Sequence, residues 1–554
     1  MQQFLTTNLL SLLLLCSHLV LNNADAGSDK GALLGFKSGI LKDTTGILST
    51  WVATTDHCTE WEGVQCDPTT GRVTSLLIQA PPDGYMEGTL SPSLGGLTSL
   101  EVLVITGTKH IAGPIPPAIS NLTRLSQLII EDSALAGAIP PSIGRLTRLA
   151  SVSLAGNRLS GSIPPSIWDL PNLQLLGLAR NSLTGAVLVP KSSRRPILQS
   201  IDLSHNLISG QIPTAFRNLT FLDLSYNRFT GQLPPSLFTL QNLQDLSLDH
   251  NQLSGKLPAS MAGLKSLARL SLSSNRFSGG IPPSISTLQK LWYLNLSSNG
   301  FSGQLPGIAG LPSLVSIDLS FNNLSLGTVP NWIKDRQLSD VRLTGCGLKG
   351  RLPVFSRPDS LMSLDLSRNS FELGISGFLT NASSLQSLDL SGNQLTFDLK
   401  EITLPPGISS VQLGSNRITG SLSAILNNNS SRISFLEVLN VSRNRISGPI
   451  PDSITNLTGL KRLDVSRNRV SGTLPASLGK LIDLQWIDVS VNLLAGKIPS
   501  SLLGVKRLRH ANFRANRLCG EIPQGRPYNI FPASAYAHNL CLCGKPLPPC
   551  RVRK

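Results

Sequence analysis

From Val73 onward the chain repeats one arrangement of apolar and polar residues, Leu-x-x-Leu-x-Leu-x-x-Asn followed by Leu-x-Gly-x-Ile-Pro. Leu149 to Pro164 has this form. It returns as Leu267 to Pro282, Leu436 to Pro451 and Leu460 to Pro475, with Leu or Ile, Asn, Gly and Pro at the same offsets. Between Leu100 and Leu508 the phrase recurs every 24 residues on average, and an irregular unit near Val73 brings the number of repeats to about 19. In the first half of each phrase apolar residues alternate with period two, which predicts a short strand with Leu inward and the intervening residues outward. One such unit cannot bury its apolar face alone, so the repeats must stack, and stacked strands form a parallel sheet. The predicted fold is an α/β solenoid.

Each column of the phrase has a physical role. Asn places a side-chain donor and acceptor where the chain turns inward and leaves backbone groups unpaired. Gly allows close backbone approach, and Pro shapes the run that follows.

Composition narrows the class. With 554 residues, 40% of them apolar and 14% charged, the chain is not disordered. Its 48 Gly have no period of three, which excludes a collagen-like helix. The net charge of +16 points to polyanionic surroundings, and compartment decides which. Leu9 to Leu21 is a mostly apolar run followed by Ala24-Asp25-Ala26, a small-x-small cleavage pattern, although no Lys or Arg precedes the run. Residues 1–26 therefore read as a secretory signal peptide, and losing them with Asp25 raises the charge to +17. No other stretch reaches the roughly 18 apolar residues of a membrane span. The expectation is a secreted, extracellular protein of the cell wall or apoplast, whose charge suits an acidic matrix or ligand rather than nucleic acid.

These residues carry a resemblance to a known family. The 24-residue phrase resembles the plant-type extracellular leucine-rich repeat. The entry segment, with Trp51, Cys58, Trp61, Gly63 and Cys66, is similar to that class's N-terminal cap, and the end, with Cys519 to Pro523 and Cys543 to Cys550, is similar to its C-terminal cap. Within the class the chain resembles polygalacturonase-inhibiting proteins, secreted proteins labelled DNA-damage-repair/toleration, and leucine-rich-repeat receptor ectodomains. The resemblance implies a right-handed superhelix with a concave parallel β-sheet, a partial second sheet from the Leu-x-Gly-x-Ile-Pro segments, and disulfide caps at both ends. The expected organisation is a signal peptide at 1–26, an N-terminal cap at 27–72, repeats over 73–518 that are irregular at 371–435, and a cysteine cap with a basic tail at 519–554.

Of eight cysteines, Cys16 leaves with the signal peptide and Cys346 takes an Asn-column position, where it reads as a buried free thiol. Cys58 and Cys66 would close the entry cap. Among Cys519, Cys541, Cys543 and Cys550 three pairings are open. Cys541 and Cys543 are too close to favour each other, so Cys519–Cys541 and Cys543–Cys550 are expected, as disulfides rather than zinc ligands. Asn-x-Ser/Thr sequons stand at Asn121, Asn218, Asn295, Asn323, Asn381, Asn428, Asn429, Asn440 and Asn456. Asn295 and Asn440 are outward strand positions, where a glycan would obstruct the concave face.

No motif of a zinc protease, serine hydrolase or nucleotide-binding loop occurs, so no catalytic residue, metal or cofactor is expected. Outward positions nominate a ligand face instead. His205, Tyr226, Asp249, His250, Tyr293 and Phe321 make an aromatic and polar group suited to a binding hot spot. Arg443, Arg462, Arg467 and Trp486 would suit an anionic ligand. The recurrent Asp of Leu-Asp-Leu-Ser reads as the default solvent-facing residue of the class rather than a ligand patch. The expected function is non-enzymatic recognition of a protein, peptide or cell-wall ligand on the concave face, in extracellular signalling or defence. Expected partners include a membrane receptor or a secreted hydrolase. The alternatives are inhibition of an extracellular polysaccharide-degrading enzyme, and a wall-structural protein held electrostatically to acidic pectin.

Overall fold

The computed structural model describes residues 28–189, 197–307, 310–428, 435–526 and 528–550. The signal-peptide reading at 1–26, Cys16, Asn429 and the basic tail from Arg551 lie outside them, as does the side chain of Asn428. The chain divides into two compact units, Met1–Ser278 with Thr287–Lys290, and Gly279–Ser286 with Leu291–Lys554.

In the first unit, strand Val64–Cys66 pairs antiparallel with Val73–Gln79. Parallel strands then follow, among them Val102–Thr106, Gln127–Glu131, Ser151–Ser153, Leu175–Gly177, Ser200–Asp202, Phe221–Asp223, Asp245–Ser247 and Arg269–Ser271. The register is in step from rung to rung: Val152 faces Leu176, which faces Ile201. The second unit repeats the plan from Tyr293–Asn295 through Val438–Asn440, Arg462–Asp464 and Trp486–Asp488 to His510–Asn512. In each rung the apolar columns close the interior. Leu149, Val152, Leu154, Leu159 and Ile167 are fully buried. Behind the sheet, short 3-10 turns such as Pro141–Arg145 and Pro165–Asp169 are entered through an extended proline, because its fixed φ near −65° suits the first turn.

The Gly-x-Ile-Pro segments form a second, discontinuous sheet. In the first unit Met86–Thr89, Lys109–Gly113, Ala134–Ala138 and Arg158–Gly161 pair side by side, with Ile40–Asp43 antiparallel at the edge. In the second unit Lys349–Arg351 pairs with Ser370–Leu373, and Ser447–Gly448 starts a run ending at Cys541–Cys543. Among the described residues between Leu373 and Ser447, the second sheet is represented only by the isolated bridge Asp398–Thr419, over the stretch where the sequence loses Gly-x-Ile-Pro.

Both ends are closed. A helix at 28–38 covers the first rung, Trp51 stacks on Trp61 at 5.3 Å, and Cys58–Cys66 is disulfide-bonded. Buried Asp29 accepts from Arg72 Nε at 2.8 Å and Nη2 at 3.0 Å, and from the Val73 N–H at 2.9 Å. At the other end Cys519–Cys541 and Cys543–Cys550 form, as expected. Cys346 is a buried free thiol, and burial pushes its pKa up to about 12. Among the described residues no helix is long and apolar enough to cross a membrane.

Candidate ligand-binding face

The face is set by what happens at the end of each strand. The Asn of the repeat turns inward. Asn157 Nδ2 donates to Ile130 O of the preceding rung at 2.8 Å and to its own Leu154 O at 3.0 Å, while Oδ1 accepts from Leu135 N at 3.1 Å. The residue just before the Asn pays for this turn with a left-handed backbone: φ is +54° at His205, +52° at Tyr226, +51° at His250, +53° at Phe321, +52° at Arg443, +54° at Arg467 and +55° at Val491. That conformation disfavours a residue with a Cβ by about 1–2 kcal/mol. Cross-rung pairing offsets it, because the same residue's N–H reaches the next rung, as Tyr226 to Asp249 O and Arg443 to Ser466 O, both at 2.8 Å. The left-handed column therefore carries its side chains outward, one per rung.

The recurrent Asp sits at the fifth position of the phrase and works locally. Asp202, Asp223, Asp318, Asp365, Asp389, Asp464 and Asp488 each accept the backbone N–H two residues on, at 2.8 to 3.1 Å. These carboxylates are half-buried rather than freely solvent-facing. Burial holds Asp223, Asp318 and Asp389 above the usual carboxylate range, against the opposing hydrogen bonds of the following serine.

In the first unit the left-handed column brings three of the nominated residues together. His205 stacks on Tyr226 with ring centres 4.1 Å apart, and Tyr226 on His250 at 4.2 Å. Their faces cover one another, so nitrogen and hydroxyl edges are what a ligand would meet. Asp249 has a different role: it accepts from Ser271 Oγ at 2.6 Å and from Ser273 N and Oγ at 2.7 Å each, bracing the following rung.

In the second unit Tyr293 lies edge-on to Trp292, ring centres 5.7 Å apart. Phe321 lies against Gly345, where a Cβ would meet the ring at 3.1 Å, and Arg368 approaches its face at 5.8 Å. Farther along the same unit a ladder runs through three rungs: the Arg462 guanidinium is 4.6 Å from the Trp486 ring, and Trp486 stacks on His510 at 3.5 Å. Trp486 Nε1 and His510 Nε2 are shielded from solvent and have no hydrogen-bond partner. Burial holds His510 below the usual histidine range, opposed by Asp488 and aided by Arg462. Arg443 and Arg467 are exposed in the left-handed column, without ion pairs among the described residues. Arg467 also lines a shallow depression of about 440 Å³ with Arg514 and His538.

Comparison with known proteins agrees with this architecture. Models described as leucine rich repeat match residues 217–277 and 434–494, and also 148–170, 198–219, 290–310 and 384–410; the leucine rich repeat N-terminal domain matches 26–67. The chain is a leucine-rich-repeat protein. The protein named DNA damage-repair/toleration protein DRT100 of Arabidopsis thaliana is 39% identical over 107 residues, 18% of this chain and 29% of that protein. A polygalacturonase inhibitor of Vitis vinifera is 37% identical over 100 residues, 18% of this chain and 28% of that protein. The matched segments thus span under a third of either relative. Among solved structures, the Arabidopsis receptor kinase HAESA in complex with the peptide hormone IDA and the co-receptor SERK1 aligns with a TM-score of 0.56 and 27% identity, covering 93% of this chain and 98% of that one.

Reading the leucine-rich-repeat register by sequence missed two parts of the face. His510 holds the same third position as Arg462 and Trp486, one rung beyond the nominated group, and the register alone could have found it. The last rung also lies past residue 518. Asn539 Nδ2 donates to Phe513 O at 3.0 Å, and His538 is left-handed, with φ +59°. Tyr536 stands there in place of the expected Leu, which hid this rung of the leucine-rich-repeat ladder among the cap cysteines.

Proposed function

We propose that this chain is a secreted, non-catalytic recognition protein that binds an extracellular protein or peptide on the outward face of its main sheet. The observation that carries the reading is the Arg462–Trp486–His510 ladder. It combines an exposed cation with a large aromatic ring and an imidazole stacked on it, the features that concentrate binding energy in a small area. Arg467 extends it with a free guanidinium suited to a carboxylate or another planar anion. The His205–Tyr226–His250 stack gives the first unit its own contact surface. The likeness to a receptor ectodomain crystallised with a peptide hormone and a co-receptor supports a ligand of this class.

The test is affinity capture from plant extracellular fluid, followed by cross-linking mass spectrometry, with the wild-type chain and an Arg462→Glu, Arg467→Glu double variant. The expected result is a partner cross-linked near these residues and lost with the variant; equal recovery by both proteins removes the ladder as the binding site. The 37% identity to a polygalacturonase inhibitor supports a second reading, inhibition of a secreted pectin-degrading hydrolase. Endopolygalacturonase assays with added chain separate the two, because only an inhibitor slows the enzyme. Retention by acidic pectin through charge alone is separated by salt, since such retention vanishes by about 0.5 M, where screening is nearly complete.

A further inference from the structure

We propose that Asn440 carries an N-linked glycan on the outward face of the main sheet in the second unit, and that this glycan sets the near limit of the surface open to a partner. The proposal rests on the secretory route inferred above, not on the identity of the ligand. Asn440-Val441-Ser442 is a sequon that begins on the last residue of strand Val438–Asn440. Its side chain takes the place of the recurrent Asp. Oδ1 accepts from Ser442 N at 3.0 Å and Ser442 Oγ at 2.8 Å, just as Asp464 Oδ1 accepts from Ser466 N at 3.1 Å and Oγ at 2.7 Å. The oxygen alone anchors the amide. Nδ2, the atom that bears the sugar, has no hydrogen-bond partner among the described residues.

The rung before Asn440 is shaped to receive it. Gly414 occupies a position that carries Ser, Thr, Ala, Asp, Glu, Gln or Arg in the other rungs. Its backbone is not left-handed, so conformation does not require glycine there; a Cβ would stand 3.0 Å from Asn440 Oδ1 and 3.3 Å from Nδ2. Glycine leaves the space that the amide fills. Beyond it most outward residues are short, Ser387, Ser391 and Gly392 on one rung and Ser410 and Ser415 on the next, while Asp389 and Gln412 hold the fifth position and Gln412 stands beside Asn440. Such a floor offers hydroxyls to a sugar and no hot-spot side chain to a protein. On the opposite side begin Arg462, Arg467 and Trp486. The other sequon on this face is less free, because Asn295 Nδ2 lies 3.5 Å from the Tyr293 hydroxyl and Trp292 packs on that ring.

In the modification, Nδ2 displaces the diphosphate from the anomeric carbon of a lipid-diphosphate-linked oligosaccharide. The C–N bond forms as the C–O bond to diphosphate breaks, and Nδ2 gives up one proton. Transfer occurs on the translocating chain, so the fold decides whether the product is tolerated, and here the amide keeps its Ser442 contacts while bearing the sugar.

The test uses the full chain secreted from plant cells, deglycosylated by an amidase in H2¹⁸O and mapped by peptide mass spectrometry. Asn440 is expected as ¹⁸O-labelled Asp. An unmodified Asn440 in a preparation where Asn121 or Asn456 is labelled overturns the proposal, and labelling of no sequon overturns the secretory route itself. A second measurement compares native arginine labelling by a dicarbonyl reagent in the wild type and in Asn440→Asp, which introduces the Asp that recurs at this position, as at Asp389 and Asp464. Arg443, on the glycan's own rung, should react severalfold faster in the variant, while Arg462 and Arg467 change little. Equal Arg443 rates in the two proteins would show that the glycan does not bound the open surface.

Discussion

The Trp486 indole and the His510 imidazole lie face to face, ring centres 3.5 Å apart and planes 12° apart, on successive strands of the second unit. Burial lowers the His510 pKa, so the folded state binds its proton less readily than the unfolded chain does. Stability that depends on this group is therefore complete above the unfolded histidine range and falls as pH drops through it. In thermal melts from pH 7.5 to 4.5, a His510→Asn variant should gain on the wild type as pH falls. A melting-temperature difference that does not change with pH would show that His510 titrates alike in both states.

The Asp column predicts the opposite sign. Asp223 is held above the usual carboxylate range chiefly by burial, so its ionised form is disfavoured in the fold. Asn can still accept the Ser225 N–H, as Asn295 and Asn440 do from Ser297 and Ser442 at 3.0 Å each. Asp223→Asn should therefore match or exceed wild-type stability at pH 7. The advantage should shrink as pH falls through the raised pKa and vanish below the ordinary carboxylate value, where both states are protonated. Urea midpoints at pH 7 and near pH 3 check this; a variant much weaker than wild type at pH 7 contradicts it.

Val491 is a β-branched residue held at φ +55°. Replacing it with Asn, which tolerates the left-handed region, should stabilise the second unit by about 1 kcal/mol. Chemical denaturation reads this directly. A loss of stability would mean that contacts of the Val side chain outweigh the backbone strain.

Asp29 and Arg72 form a buried, doubly hydrogen-bonded ion pair at the start of the first unit. Asp29→Ala removes the carboxylate that accepts from Arg72 Nε, Arg72 Nη2 and the Val73 N–H, although Arg72 Nη2 also donates to Thr98 Oγ1 at 3.0 Å, and should cost about 3 kcal/mol. Hydrogen exchange localises the effect: protection should fall in the helix at 28–38 and strand Val73–Gln79 before it falls elsewhere. Uniform loss across the first unit would show that the cap and the rungs unfold together.

Much of the fold was legible because the phrase is short and repeated. The alternation around Val152 and Leu154 set strand and core, and the loss of Gly-x-Ile-Pro after Phe371 coincides with the lapse of the second sheet. The disulfide pairing followed from spacing in an oxidising compartment. The face was only partly legible. His205, Tyr226 and His250 were nominated and do meet, whereas Asp249 was nominated for a ligand and instead ties down Ser271 and Ser273. Nothing in the residue types distinguishes these outcomes, because an Asp on a strand end can face solvent or hold its neighbour.

The sequence by itself determined which side of each strand every residue takes, since a period of two along the chain and of about 24 between rungs leaves one register that buries the leucines. Only the tertiary structure decided how side chains meet across rungs. The left-handed turn before each Asn is stabilised by the next rung's carbonyl, which lies about 24 residues away and is absent until the rungs stack. That contact aims Tyr226 between two imidazoles, and the same stacking brings His510 onto Trp486. Both are cross-rung geometries that no local pattern encodes.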